Sequence, residues 1–199
     1  MARSIWAPGI TILAGTKLVF RSSIPLNQIP SPVIVIANHT SVMDIPYLFQ
    51  VLPQNLYFIG KKELKKVPFI GWYMMAMGMI FIDRTNKEKS IASIQQAADM
   101  VKKGKSVVTF PEGTRSPDGA LGIFKNGTFH MAIEAKAPIL PVFIHGAHTV
   151  WPATHFQIKP QTVTVSIGTP IVTEDWTLTD IMHYNRLSRE AVSALSPKS

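Results

Sequence analysis

Two short polar motifs hold the side chains equipped for chemistry. Asn38-His39-Thr40-Ser41-Val42-Met43-Asp44 sets an imidazole five residues ahead of a carboxylate. Phe110-Pro111-Glu112-Gly113-Thr114-Arg115-Ser116 brings a carboxylate, a glycine and a guanidinium together. Histidine accepts a proton near neutral pH, and a carboxylate on its far nitrogen fixes the tautomer and stabilises the imidazolium. Gly113 lets the backbone turn tightly, and Arg115 can grip a phosphate with a planar fork. Glu112 can hold a substrate hydroxyl or orient Arg115. Plainer roles exist for each: a first-turn helix acid for Asp44, a loop histidine for His39, a surface ion pair for Glu112 and Arg115.

The fold must bring these groups together. On a continuous helix, residues five apart point about 140° away from each other. His39 and Asp44 therefore meet only if the chain turns between them. Thr40 and Ser41 offer turn or capping chemistry, and Pro46 suits an early helical position. The expected local order is strand, turn, then a helix beginning near Asp44. Each motif follows an apolar run, residues 32–37 and residues 106–109, that reads as a buried strand. In open α/β sheets ligands bind at the edge where such strands end.

Further strands are expected at 55–59, 79–82 and 139–144. Residues 161–167 alternate cleanly and read as a half-exposed strand near an edge. Residues 87–103 carry Ile91, Ile94, Ala98 and Val101 on one helical stripe, which Gly104 stops. Helices are also expected at 128–136 and 178–195. This alternation indicates an α/β fold with a central, mainly parallel or mixed sheet flanked by helices. The length, 199 residues, suits a single core. No repeat, low-complexity tract or linker interrupts it.

Residues 4–16 are apolar and nearly uncharged, with Trp6, Pro8, Ile10, Ile12 and Leu13. The run is shorter than the roughly 20 residues that span a bilayer. It reads as a short apolar N-terminal helix, lying either in a membrane interface or on the sheet. Residues 67–82 also lack charge and include Phe69, Ile70, Trp72, Met74, Met75, Met77 and Met79. They read as a core helix plus strand, or as an adaptable apolar surface, a use to which methionine is suited.

Lysine and arginine number 20 against 12 acids, a net charge of +8. Such a surplus suits anionic partners. Lys61, Lys62, Lys65 and Lys66 form one cluster, and Lys102, Lys103 and Lys105 another. Neither is interleaved with aromatics as in a single-strand platform, and no zinc-finger or RNA-binding signature is present. Anionic lipid is therefore expected over nucleic acid, beside the plainer reading of solvated helix faces. The chain has no cysteine, which excludes disulfides and thiol nucleophiles. His130, His145, His148, His155 and His183 form no metal-ligand spacing, and no metal is expected. There is no Gly-x-Ser-x-Gly elbow, phosphate-binding P-loop or His-Glu-x-x-His. A base without a protein nucleophile suggests that it activates a substrate hydroxyl.

Four blocks in order resemble the glycerolipid acyltransferase family, and within it most closely the 1-acyl-sn-glycerol-3-phosphate acyltransferases. They are Asn38-His39 through Asp44, Gly78-Met79-Ile80-Phe81-Ile82-Asp83-Arg84, Phe110 through Ser116, and Ile139-Leu140-Pro141-Val142. Lys61-Lys62-Glu63-Leu64 and Phe124-Lys125-Asn126-Gly127 are smaller matches, the family more often having Lys-Gly in the latter. The resemblance implies a glycerol-3-phosphate acyltransferase-like fold, with residues 1–24 as a membrane-contact segment and 25–199 as the acyltransferase domain. It implies that His39 deprotonates the 2-hydroxyl of lysophosphatidate and that Asp44 orients His39. The hydroxyl oxygen would attack a thioester on coenzyme A or acyl carrier protein, giving phosphatidic acid. No cofactor is implied beyond that co-substrate. Glu112, Gly113, Thr114 and Arg115 would position the glycerol phosphate, with Arg84 or Lys61 assisting. Asn38 and Thr40 are oxyanion or turn candidates. The expected location is the cytoplasmic face of a membrane, a bacterial inner membrane, with anionic lipid as a partner. Only 37 residues precede Asn38, where many members carry a longer anchor, so peripheral or monotopic attachment is expected. Other lysophospholipids or glycerol 3-phosphate are alternative acceptors. Hydrolysis by a water activated on His39 is the alternative reaction, and a non-catalytic lipid- or nucleic-acid-binding domain the third reading.

Overall fold

A strand buried along both faces needs helices above and below it, and the chain supplies them in alternation. The computed structural model describes residues 2–67, 70–83, 86–152 and 157–197. A π-helical turn, Ala2–Trp6, leads into α1 (Ala7–Leu13), β1 (Lys17–Ser22), β2 (Ile34–Ala37) and α2 (Asp44–Val51). Then come β3 (Leu56–Lys61), α3 (Ile70–Ala76), β4 (Ile80–Ile82), α4 (Lys87–Lys102) and β5 (Ser106–Thr109). The chain ends with α5 (Gly127–Ala135), β6 (Ile139–His145), α6 (Ala147–Val150), β7 (Thr162–Ile167) and α7 (Ile181–Ser193).

Among the described residues seven strands form one sheet, in the order β1-β7-β6-β2-β5-β3-β4. From β6 to β4 the strands run parallel. β7 runs antiparallel to β6, and β1 parallel to β7. The sheet is therefore mixed, as expected. β2 sits between β5 and β6, with Ile36 opposite Thr109 on one side and Pro141 on the other. The segments that leave β2 and β5 thus emerge side by side at one sheet edge, and these carry the two polar motifs.

Side chains alternate across the sheet into two apolar layers. Val35, Ala37, Leu140, Val142 and Val165 share a layer with Met43 just before α2, Tyr47 and Leu48 of α2, and Ala7 of α1. Ile34, Ile36, Val107, Ile139 and Phe143 face Ala97 and Val101 of α4, Phe129 and Ala132 of α5, and Val192 of α7. The side chain of Asn86 caps α4 by accepting the Lys89 N–H at 2.9 Å.

Residues 17–22, read from sequence as part of the apolar leader, form an edge strand of the sheet. α1 turns Ala7 and Thr11 inward and leaves Ile12 (75% exposed) and Leu13 (87%) outside, with Ile5 exposed just before it. Among the described residues no helix is long and apolar enough to cross a membrane. The uncharged stretch 67–82 holds α3 and β4, burying Met79 and Ile80 and exposing Trp72, Met75 and Met77. Phe69 and His155 lie outside the described residues.

Candidate active site

Seven residues after β2 ends, the chain has turned and α2 begins at Asp44. Asp44 is fully buried, so its charge needs donors around it. One carboxylate oxygen, Oδ2, accepts the N–H of Thr40 at 2.8 Å and of Ser41 at 2.9 Å. The same oxygen lies 2.8 Å from Nδ1 of His39. Ser41 closes the turn, accepting the Met43 N–H on its hydroxyl and donating that hydroxyl to the Trp151 carbonyl. The spacing of five residues thus meets across a turn. With Nδ1–H directed to Asp44, the lone pair of the imidazole sits on Nε2. The His39 side chain keeps 19% of its surface open. Its ring stacks on Phe110, 4.0 Å between centroids and 14° from parallel.

The second motif grips the first through the backbone. Gly113, at φ +78°, lets its N–H return to the Phe110 carbonyl at 3.0 Å, closing a tight turn. Glu112 Oε1 accepts the His39 N–H at 2.8 Å, and the Ser116 N–H donates to the His39 carbonyl at 2.7 Å. Glu112 Oε2 accepts the Gly122 N–H at 2.9 Å. Burial pushes the Glu112 carboxyl above its ordinary range, and the two backbone N–H groups pull it back only in part. Sequence reasoning missed Gly122. A Cβ there would stand 2.7 Å from Glu112 Oε2, so any other residue would push the carboxylate aside.

The other expected site residues fall into three groups. Arg115 is half-buried in the loop beside His39 and makes no ion pair among the described residues. Thr114 is exposed next to it. Lys61 closes β3 two strands from β2, at the same sheet edge. Its neighbour Lys62 pairs with Asp83 at 3.0 Å, whereas Arg84 lies outside the described residues. Two of the clustered lysines lie over rings, Lys65 over Phe81 and Lys105 over Tyr57.

Asn38 corrects one expectation. Its amide donates to the Ile144 carbonyl at 2.9 Å and accepts the Ile144 N–H at 2.7 Å. The side chain therefore imitates a further residue of β2 against β6 and is not turned toward an oxyanion. Thr40 directs its N–H to Asp44, while its buried Oγ1 has no hydrogen-bond partner among the described residues. Each Glu112 oxygen takes a backbone N–H and the residue is 7% exposed, so part of its acceptor capacity is spent inside the protein. What remains is an imidazole with one open nitrogen, and against its backbone the loop that carries Arg115. That arrangement can withdraw a proton from a hydroxyl whose owner carries an anionic group.

Residues 22–145 match the family model described as Acyltransferase. The chain is 38% identical over 152 residues to the 1-acyl-sn-glycerol-3-phosphate acyltransferase of Cocos nucifera, covering 76% of this chain and 49% of that protein. It is 34% identical over 167 residues to the protein of that name from Limnanthes douglasii, covering 83% and 59%. The Saccharomyces cerevisiae protein is 38% identical over 154 residues, covering 76% and 51%. The chain spans about half the length of the curated relatives it matches. Among solved structures, the 1-acyl-sn-glycerophosphate (LPA) acyltransferase PlsC from Thermotoga maritima superposes with a TM-score of 0.80 at 27% identity. That match covers 97% of this chain and 78% of the other.

Proposed function

The chain belongs to the acyltransferase family, and from that premise we propose that it acylates the 2-hydroxyl of 1-acyl-sn-glycerol 3-phosphate, forming phosphatidic acid. The donor is a thioester of coenzyme A or of acyl carrier protein. The observation that carries this reading is the His39 imidazole, its Nδ1 2.8 Å from a fully buried Asp44 and its Nε2 left to act as base. As the acceptor oxygen attacks the thioester carbonyl, its proton passes to Nε2. Asp44 stabilises the imidazolium formed. When the tetrahedral adduct collapses the carbon–sulfur bond breaks, and the thiolate takes the proton back from Nε2. The ester remains on the acceptor, and no acyl-enzyme is required. Arg115, without an ion-pair partner among the described residues, is the cation we assign to the acceptor phosphate. Names carried by the relatives support this choice of acceptor.

Attachment to the membrane is proposed as peripheral or monotopic. It is supported by the exposed Ile5, Ile12 and Leu13 and by the net charge of +8. The test is direct. Purified protein, lysophosphatidate and a radiolabelled acyl-CoA or acyl carrier protein are incubated and the lipids separated. Labelled phosphatidic acid is expected from wild type and not from folded His39→Ala. Thioester loss at the same rate without lysophosphatidate would sink the transfer reading in favour of hydrolysis.

A further inference from the structure

We infer that Asn185 and Arg189 on α7 are positioning residues for His39, acting through the loop 121–126 and Glu112. The loop joins the second motif to α5 and has no strand or helix of its own to fix it. It is fixed from the far end of the chain. Arg189 Nε donates to the Gly122 carbonyl at 3.0 Å, and Arg189 Nη2 to the Leu121 carbonyl at 3.2 Å. Asn185 Nδ2 donates to the Phe124 carbonyl at 2.9 Å and to Asn126 Oδ1 at 2.7 Å. Asn185 is buried, so its donor faces these acceptors with little competition from water.

The loop passes this restraint inward. Gly122, held by its carbonyl, gives its N–H to Glu112 Oε2, and Glu112 Oε1 takes the His39 N–H. The Lys125 N–H adds a bond to the Pro111 carbonyl at 2.9 Å, tying the loop to the motif on the other side of Glu112. Two residues, Gly122 and Glu112, are all that separate Arg189 from His39. The link is sensitive because the Glu112 carboxylate is buried. If Gly122 withdraws, the carboxylate loses one of its two backbone donors and gains by moving toward solvent or by taking a proton. Either change releases the His39 N–H. Transfer rates fall steeply when a base is displaced by even an ångström. Neither Asn185 nor Arg189 contacts His39, so their effect belongs to placement and not to chemistry.

The experiment uses the full chain and three variants. Asn185→Asp keeps the volume but swaps a donor for an acceptor. Arg189→Met keeps the apolar stem and removes both donors. Arg186→Met is the control, since among the described residues the ion pair of Arg186 is with Glu190 on its own helix, at 4.0 Å. Amide hydrogen exchange at His39 and Gly122 is read by NMR, beside steady-state kinetics. Asn185→Asp and Arg189→Met are expected to speed exchange at both amides by about fivefold or more. The turnover number should fall by roughly fivefold to tenfold with both Michaelis constants within about twofold of wild type. Arg186→Met should change none of these. The kinetic arm rests on the proposed acyl transfer, whereas the exchange arm does not. A protein inactive toward lysophosphatidate would refute the reaction and still report on the relay. Unchanged exchange at His39 in Arg189→Met would overturn the relay, whether or not Asn185→Asp folds. A raised Michaelis constant for the thioester without any exchange effect would instead assign Arg189 to the donor.

Discussion

His39 is held both at its backbone and at its ring. Glu112 takes its backbone N–H, Ser116 donates to its carbonyl, Asp44 faces Nδ1, and Phe110 covers a ring face. His39→Ala should cut acyl transfer by roughly 10²- to 10⁴-fold, the usual contribution of a general base. Asp44→Asn should lose about as much, because an amide N–H facing Nδ1 favours the wrong tautomer. Thioester-release assays on folded variants check both. Arg115→Lys keeps the charge but not the planar fork. It should raise the Michaelis constant for lysophosphatidate by about tenfold, with little change for the thioester. An unchanged acceptor constant would remove Arg115 from the phosphate. Glu112 makes a prediction in pH. Burial raises its carboxyl above the ordinary value of 4.5. Folding thus favours the protonated form, so this contribution to stability is complete below the unfolded value and is lost as pH rises through the folded one. Glu112→Gln does not titrate there. Its melting temperature relative to wild type should climb as pH rises from below 4.5 toward neutrality, and a flat difference across that series would contradict the raised value. The His39–Asp44 pair was legible in sequence because the turn residues and Pro46 leave few other geometries. The partners of Glu112 were not, because backbone N–H groups have no residue-type signature.

At the scale of elements, the site depends on β2 extending one residue further than its own backbone ladder. Asn38 does this with a side chain, saturating both polar groups of Ile144, which is 2% exposed. Asn38→Ala would leave a buried N–H and C=O unpaired. The expected loss is about 2 kcal/mol in urea unfolding, with reduced turnover because His39 is the next residue. A loss under a few tenths would show that water replaces the amide. The apolar runs of β2, β5 and β6 were readable because strands buried on both faces have few polar positions. The near-edge placement of β7 followed from its alternation. β1 was hidden for the opposite reason. An edge strand leaves one side to solvent, so Lys17, Arg21 and Ser22 are exposed and blur the pattern. α6, a single turn, is too short for any periodicity to register.

For the whole molecule, the start of the chain is one place with exposed apolar residues: Ile5, Ile12, Leu13 and Phe20 are at least half exposed. Ile12→Asp with Leu13→Asp should weaken sedimentation with anionic vesicles by about tenfold or more, since each side chain offers about 1.5–3 kcal/mol on burial. The melting temperature should not move, because both already face solvent. Equal sedimentation of variant and wild type would place the membrane contact elsewhere. Binding should also weaken with salt to the extent that the surplus of lysines and arginines contributes. This apolar face was legible as composition, but which residues point outward depended on how α1 rests on α2, a tertiary matter. The pairing of β1 with β7 adds a constraint of timing. Lys17 lies opposite Thr162, and Ser22 opposite Ile167. A ribosome adds about 5–20 residues per second, so β1 emerges long before its partner, while β2, β5 and β6 can already assemble. Pairing across so much of the chain also closes slowly. During that interval the helix before β1 has no strand anchored behind it, so the proposed contact with a bilayer would not have to wait for the sheet to close. The last strand synthesised thereby decides when the first one joins the sheet.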